Sequence, residues 1–450
     1  MGSDMVERSS DQRVAAITVA RLKVLLAFIA FRIVLDFGYI AFVHAYYAYA
    51  GYDLDVLPAK YLISWLFLLA AGWMVPTRFT QAADLFLMYL GAAMLVPLTA
   101  MYGLASAPLI PITTSFVAYA VVHGTALVIP PLAAPHIAKG RTIAVALASF
   151  ALSVVLARMI VQGGLTNFNL DLRAVYEFRE VQAEIIGGSI FNYANVWAGK
   201  VMAPFLIAIG LLYRQWVLVA VALLAHVALY GFTAHKAVLF YPLVVVGIWL
   251  LFRRRPLLWT LPAALGGAAL AALLASAASG DLLYASLFVR RVFFVPARLT
   301  LDYFEFFSSN PVVLWSNSIL AAFTTYPYEV SVARTIGSWN GSGASANNGF
   351  VASGFAHAHF FGVFAYSFTL GAILWGVNSV DRYIQSKWFP ASVSIVPLMA
   401  TVSSDLLTSM LTHGILPMLL VLLLVSFRRH EASQRTASPT AVPARWEHGD

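Results

Sequence analysis

Long apolar runs, separated by short polar or proline- and glycine-containing stretches, recur along this chain. Many are long enough to cross about 30 Å of hydrocarbon, which takes about 20 helical residues. Counting the runs between breakers predicts twelve membrane-spanning helices. Their approximate centres are Ile33, Leu66, Leu90, Ala120, Phe150, Leu206, Leu223, Val244, Leu265, Tyr366, Ile395 and Leu420. The first run, Leu22 to Ala50, is too long for a signal-peptide core, so we interpret it as an uncleaved helix.

Composition supports this interpretation. Of the 450 residues, 61% are hydrophobic and 11% are charged, whereas soluble domains are about 45–50% apolar and about 25% charged. The chain is therefore expected to be an all-α polytopic membrane protein. We divide it into an N-terminal segment (1–21), a single transmembrane domain (22–428) and a polar, proline-containing tail (429–450) that we expect to be disordered. No cysteine is present, which excludes disulfides and thiolate chemistry.

The basic residues of short loops predict the orientation, because cytoplasmic loops are enriched in lysine and arginine. With the N-terminus inside, the other short connections carry only Lys60 and Lys236. The cytoplasmic ones carry Arg78, Lys139, Arg141, Arg214, Arg253, Arg254, Arg255, Arg382 and Lys387. Both termini are thus predicted to be cytoplasmic. The net charge of +8 is explained by topology, so we expect no nucleic-acid partner.

Two long exterior connections, 161–195 and 280–348, contain basic residues that the topology rule does not explain. We expect amphipathic helices in both connections. The arginines concerned are Arg173, Arg179, Arg290, Arg291, Arg298 and Arg334.

The stretch "RRVFFVPARLTLDYFEFFSSNP" begins at Arg290. Pro296 suits the first turn of a helix that ends before Pro311. Arg298, Asp302 and Glu305 would share one helical face, and the phenylalanines are expected to seat the helix in the lipid interface. Arginine offers donors matched to phosphate oxygens, and either carboxylate is a candidate acceptor for a sugar hydroxyl proton. The alternative is that Arg298 simply pairs with Asp302 and that the arginines bind lipid headgroups.

The first long connection has a similar composition, "NLDLRAVYEFREVQAEIIGG". Arg173, Tyr176, Arg179 and Glu180 fall within about two helical turns. Two loops that carry arginines and aromatic residues on one side predict one site assembled between them. The alternative is an amphipathic helix lying on the membrane surface.

Two histidine-containing stretches add candidates to the same side. His235 and Lys236 lie at a turn in "GFTAHKAVLFYPL" and would add positive charge. His357 and His359 lie in "NNGFVASGFAHAHFFG". Because residues two apart point to different sides of a helix, we do not expect a shared metal; one of them is a candidate base or phosphate donor.

Charges inside the apolar runs have simpler interpretations. Arg32 and Asp36 are one turn apart in the first helix, which favours a structural ion pair over the functional role usual for intramembrane charges. His226 is expected to serve packing. Asp53 and Asp55 form a weak acidic motif for a divalent metal, although a short turn with two acids is usually solvated.

Three stretches resemble the oligosaccharide repeat-unit polymerases of bacterial surface polysaccharide (O-antigen polymerases, Wzy-type). They are "TAHKAVLFYPLVVV", "RRVFFVPARLTLDYFEFFSSNPVVLWSNS" and "ANNGFVASGFAHAHFFGVFAYS", so the resemblance lies mainly in the C-terminal half. It implies a metal-independent glycosyltransferase of the GT-C class without a cofactor. The enzyme would transfer a growing glycan from undecaprenyl diphosphate to a new lipid-linked repeat unit, at the periplasmic face of the inner membrane.

The resemblance also implies diphosphate-binding roles for Arg173, Arg179, Arg290, Arg291 and Arg298, to which the sequence pattern adds Lys236. It assigns the base to no single residue, so the candidates from the sequence remain Glu180, Asp302, Glu305 and His357. The substrate-contacting candidates, also from the sequence, are Tyr176, His235 and His359. Expected partners are the undecaprenyl-diphosphate-linked oligosaccharide, membrane lipids, a flippase and a chain-length regulator.

Three alternatives remain. An O-antigen ligase would use the same donor with a different acceptor. A metal-dependent lipid-phosphate glycosyltransferase would use Asp53 and Asp55. A transporter is disfavoured because internal repeats are absent and intramembrane charges are few.

Overall fold

The computed structural model describes residues 2–133, 135, 137–166, 168–171, 189–255, 257–384 and 386–426. These residues form helices, together with one isolated β-bridge between Asp55 and Ala105. We number the helices α1 Ile17–Ala50, α2 Pro58–Met74, α3 Ala82–Leu104, α4 Leu109–Val128, α5 Gly140–Val161, α6 Ile190–Leu212, α7 Trp216–Thr233, α8 Lys236–Phe252, α9 Thr260–Ser279, α10 Val295–Phe307, α11 Val332–Trp339, α12 Phe350–Asp381, α13 Trp388–Val402 and α14 Leu406–Val425.

All twelve predicted centres fall within helices. Within the described ranges, nine helices are long and apolar enough to cross a membrane, whereas α2, α8 and α13 are shorter. The bundle has α3 at its centre, because every residue of that span is buried. Its outer surface exposes large apolar side chains such as Phe150 and Val217, which are 69% and 78% exposed. These features are those of a polytopic membrane protein.

Local sequence explains several helix ends. Pro58 occupies the first turn of α2, where its missing N–H costs no hydrogen bond. Gln81 and Asp84 form a capping box at the start of α3. Gly280 ends α9 in the left-handed conformation, with φ of 70°. The ends therefore follow ordinary capping chemistry.

The connection 280–348 is largely helical. A π-helix, Ser286–Phe294, continues directly into α10, which ends at Phe307, before Pro311 as predicted. The expectation that its phenylalanines lie in lipid is wrong. Phe293 packs against Phe31 of α1 with ring centroids 5.1 Å apart, and Phe304 stacks on Phe355 of α12 at 3.9 Å. These aromatic side chains fix α10 inside the protein.

Helix α12 reverses direction at Ala358 and His359, whose backbone dihedrals are not helical. His359 has a φ of 48°, in the left-handed region. The backbones of Gly354 and Gly362 touch so closely that a Cβ on Gly362 would collide with the Gly354 carbonyl. In a continuous helix these residues would lie about 12 Å apart. The short first part of α12 therefore folds back onto the longer second part, and His357 lies at the reversal.

Candidate active site

A cavity of about 640 Å³ lies between α6, α10, α11, the first part of α12 and the start of α14. Ligand pockets typically enclose about 300–1,000 Å³. Its wall presents hydroxyl and amide groups, among them those of Tyr303, Asn317, Ser318, Asn347 and Thr408. Apart from tyrosines, the ionisable side chains among the described residues that line it are those of His357 and Asp405. The cavity is thus polar and contains one histidine–carboxylate pair.

The backbone geometry fixes the tautomer of His357. The backbone N–H of Trp315 donates to its Nδ1 at 3.1 Å, and the Trp315 ring stacks on the imidazole. Because a backbone N–H can only donate, Nδ1 must accept and the ring proton must lie on Nε2. That N–H faces Asp405 Oδ2 at 3.6 Å, a distance at which the attraction is mainly electrostatic.

Asp405 is held from several sides. It lies between α13 and α14 and caps α14 by accepting from the Thr408 amide at 3.0 Å. Tyr366 donates its hydroxyl to Oδ2 at 2.9 Å. Burial would raise the pKa of Asp405, but the donors of His357, Thr408 and Tyr366 outweigh burial and hold the pKa below the usual aspartate range. The result is an oriented carboxylate, ionised at neutral pH and open to the cavity.

The four predicted bases have different environments. Glu180 lies outside the described residues. Glu305 is exposed and Asp302 is 1% exposed, and neither lines the cavity. His357 does line it, but its Nδ1 is occupied by the Trp315 amide. Asp405 is thus the one carboxylate among the described residues that line the cavity.

Arg298 and Asp302 form the ion pair that the simpler interpretation expected. Arg298 Nε lies 2.8 Å from Asp302 Oδ1, and Arg298 Nη1 donates to the Gly51 carbonyl at 2.7 Å. Asn340 donates to Asp302 Oδ2 at 3.1 Å. Burial raises the pKa of Asp302, although the Arg298 charge counteracts the shift. This cluster ties α10 to the loop after α1 and to the end of α11.

The remaining basic candidates lie further along the same surface. The Arg290 guanidinium lies 4.0 Å from the centre of the Tyr47 ring. Along the helix, Arg290 is roughly 20 Å from Tyr303 at 1.5 Å per residue. Arg291 is exposed on the same π-helix. The start of α8, which carries Lys236, reaches this π-helix through the Phe240 and Phe288 rings, 5.2 Å apart. Arg290 and Arg291, which we call the arginine patch, are therefore well separated along the helix from the cavity that Tyr303 lines.

Two histidine candidates contact the backbone. His359 Nε2 lies 2.8 Å from the Phe307 carbonyl oxygen and so joins α12 to the end of α10. His235 Nδ1 lies 2.8 Å from the Thr233 carbonyl oxygen. The predicted positions Arg173, Tyr176 and Arg179 lie outside the described residues.

The intramembrane pair is structural, as predicted. Arg32 is fully buried and donates to Asp36, to Thr99 at 2.9 Å and to Ser64 at 3.0 Å. His226 Nε2 lies 3.0 Å from the Gly199 carbonyl oxygen, consistent with a packing role.

The acidic motif after α1 has no metal-site geometry in the described structure. Asp53 and Asp55 are both exposed. Among the described residues there is no group of three histidine or carboxylate side chains placed to hold a metal ion.

Sequence reasoning missed Asp405, Tyr366 and Trp315. Asp405 did carry a signal, because an aspartate directly before an apolar run is typical of a helix N-cap. Trp315 and Tyr366 carry no such signal; they lie far apart in sequence and meet only through the reversal of α12.

No protein-family model, curated protein or solved structure matches this chain.

Proposed function

We propose that this chain is a membrane-embedded glycosyltransferase that lengthens a lipid-linked glycan. It would transfer the growing chain from undecaprenyl diphosphate to the terminal sugar of a new lipid-linked repeat unit. The resemblance of three stretches to O-antigen polymerases supports this reaction. The observation that carries the proposal is the oriented Asp405 carboxylate on the wall of a cavity of about 640 Å³.

The cavity wall suits an acceptor sugar. Hydroxyl and amide groups such as those of Asn317, Ser318 and Thr408 donate to and accept from sugar hydroxyls. Tyr193 and Tyr303 add aromatic surface. A wall without lysine or arginine among its described residues matches a neutral acceptor better than an anionic one.

Asp405 would act as the general base. An acceptor hydroxyl oxygen attacks the anomeric carbon of the donor sugar, and the bond from that carbon to the diphosphate oxygen breaks. Undecaprenyl diphosphate leaves with the electron pair, and the hydroxyl proton passes to the Asp405 carboxylate. His357 and Tyr366 are positioning residues, because their donors hold the carboxylate toward the cavity.

The diphosphate requires a cation near the reacting carbon. Arg334 follows the lining residues Val332 and Ala333 on α11, is exposed, and forms no ion pair with the described side chains. Its planar guanidinium suits phosphate oxygens. We place the diphosphate at Arg334, whereas Arg298 holds α10 in position. Replacing Arg290, Arg291 and Arg334 one at a time would show which of them the transfer from the lipid diphosphate requires.

The test uses purified protein in liposomes with undecaprenyl-diphosphate-linked repeat units and EDTA, without nucleotide. A ladder of lengthening lipid-linked glycans is the expected result. Transfer that occurs only after a divalent metal is added would contradict the proposal and favour Asp53 and Asp55. Transfer to a lipid A-core acceptor without a ladder would indicate a ligase.

Matched variants locate the site. Asp405→Asn and Arg334→Ala should abolish or strongly reduce the ladder, whereas Asp53→Asn and Arg290→Ala should leave it. The reverse pattern would move the reaction to the arginine patch.

We also propose that the cavity opens to the periplasm of a bacterial inner membrane, with both termini cytoplasmic. Because the chain has no cysteine, Ser318→Cys and Arg254→Cys give clean single labelling sites. An impermeant thiol reagent on intact spheroplasts should label the first variant and spare the second. The opposite labelling would invert the topology.

A further inference from the structure

A second cavity, of about 260 Å³, lies at the end of α12 away from its reversal. Its wall is formed by the residues before α3, the end of α4 and the end of α12. Thr80, Gln81, Asp381, Arg382 and Lys387 contribute polar groups to it. This cavity plays no part in the proposed transfer reaction.

Asp381 is the unusual group in this wall, because it is only 1% exposed. Its Oδ2 accepts from the Ala82 amide at 3.2 Å and from Lys387 Nζ at 2.9 Å. Its Oδ1 is buried and has no hydrogen-bond partner among the residues that the structure describes. Leaving a buried charged oxygen without a donor is costly. A donor that enters from the cavity would satisfy this oxygen.

The neighbouring polar groups do not supply that donor. Asp84 is a cap whose Oδ2 accepts from the Thr80 amide at 2.7 Å, from the Thr80 hydroxyl at 2.8 Å and from the Gln81 amide at 2.8 Å. An ionised carboxylate has no proton to donate. Asn378 Oδ1 accepts from the Ala83 amide at 3.1 Å, and its Nδ2 points to the Ala126 carbonyl at 3.5 Å. Asp84 thus caps α3, whereas Asn378 of α12 bonds to α3 and α4.

We propose that this cavity binds the headgroup of an aminophospholipid such as phosphatidylethanolamine. The primary ammonium would donate to Asp381 Oδ1, and the phosphate would meet the exposed cations Arg382 and Lys387. A carboxylate beside two cations matches a headgroup that carries both charges. The glycerol hydroxyls of phosphatidylglycerol could donate to Oδ1 but carry no positive charge to pair with the carboxylate. A quaternary choline ammonium has no N–H to give.

The surroundings place the cavity where headgroups lie. Trp375, in the cavity wall, donates its indole N–H to the Pro130 carbonyl at 2.9 Å, and tryptophan is enriched at membrane–water interfaces. Val128 and Leu132, which flank the lining residues Ile129 and Pro131, are 79% and 60% exposed. Acyl chains attached to a bound headgroup would thus meet apolar protein surface.

The experiment is lipid retention by the purified full-length protein in detergent, measured by native mass spectrometry. The protein is offered equal amounts of phosphatidylethanolamine, its N-methylated forms, phosphatidylcholine and phosphatidylglycerol. We expect phosphatidylethanolamine to be retained at least about fivefold over phosphatidylcholine, given the strength of charge-assisted hydrogen bonds. Monomethylated lipid, which keeps N–H donors, should remain close to phosphatidylethanolamine. Equal retention of all headgroups, or preference for phosphatidylglycerol, would overturn the proposal.

Variants test the individual groups. Asp381→Asn should remove the headgroup preference, and Arg382→Ala, at an exposed position, should weaken retention of every phospholipid. Arg254→Ala is the matched control, because Arg254 is also an exposed arginine and follows α8. Phe252 at the end of α8 packs on Phe79, just before the cavity residue Thr80, so both arginines lie near the same end of the bundle. Unchanged preference in Asp381→Asn would refute the assignment. If that variant does not fold, the headgroup series on the unmodified protein still decides the proposal.

Discussion

The Arg32–Asp36 pair and the His357–Asp405 pair differ in what surrounds them. Around Arg32 and Asp36, the hydroxyls of Ser64 and Thr99 each accept a hydrogen bond from Arg32, and Tyr61 donates to the Asp36 carboxylate at 3.2 Å. Around Asp405, a similar set of donors leaves the carboxylate facing a cavity. We call the Arg32–Asp36 pair closed, because its polar groups bond only to neighbouring helices and so hold them together. We call the His357–Asp405 pair open, because the cavity exposes its ionised carboxylate to a ligand.

The largest expected effect is on activity at the open pair. Asp405→Asn keeps the shape of the side chain and removes the proton acceptor, so the transfer rate should fall by about 10²–10⁴-fold, the usual contribution of a general base. Ladder formation in liposomes at saturating donor measures it. Asp302→Asn is the control, since Asp302 lies outside the cavity; a comparable loss there would show that the two acids had been misassigned.

The next effect is on folding at the closed pair. Arg32→Met leaves Asp36 buried without its cation, which should cost about 3–5 kcal/mol. The double variant Arg32→Met, Asp36→Leu should recover much of that loss, because an apolar pair needs no compensation. Thermal unfolding in detergent gives the comparison. Equal stability of the single and double variants would mean that the pair is not a structural unit.

A smaller effect is expected at the reversal that presents His357. Gly362→Ala would push a methyl group into the Gly354 carbonyl and should cost about 1–3 kcal/mol through overpacking. Gly376→Ala, later in α12, meets only a Leu419 methyl at 3.8 Å and should be neutral or slightly stabilising. Unfolding midpoints of the two variants test this difference. Matching midpoints would argue against a close crossing of the two parts of α12.

The smallest effect is the pH dependence of the open pair. The pKa of Asp405 lies below the usual aspartate value of about 3.9, so this base stays ionised and the rate should not fall through it between pH 8 and about pH 5. Its stabilisation of the fold is present above the unfolded pKa of about 3.9 and is lost as pH falls through the folded pKa.

Rates and unfolding midpoints, measured from pH 8 to pH 3.5, check both statements. The stability difference between the unmodified protein and Asp405→Asn should shrink below about pH 4. A rate that halves near pH 6 would instead indicate a base with a raised pKa.

Sequence alone determined the helical architecture, because hydrophobic run length is a local property. Each of its twelve predicted centres falls within a helix, and nine of the described helices are long and apolar enough to span a membrane. The sequence also favoured the structural role of Arg32 and Asp36, since a partner one turn away is visible in the chain. It also predicted the end of α10, because proline acts on its immediate neighbours.

The tertiary structure alone decided which polar groups meet. Arg298 and Asp302 have the same spacing as Arg32 and Asp36, yet only the fold shows that Asn340 and Gly51 complete the second cluster. The sequence suggested that the phenylalanines of this stretch face lipid, but Phe293 of the π-helix packs on α1 and Phe304 of α10 packs on α12. Asp405, Trp315, Tyr366 and His357 come together because α12 reverses between two glycines. Such a reversal depends on non-local backbone packing, which hydrophobic periodicity does not encode.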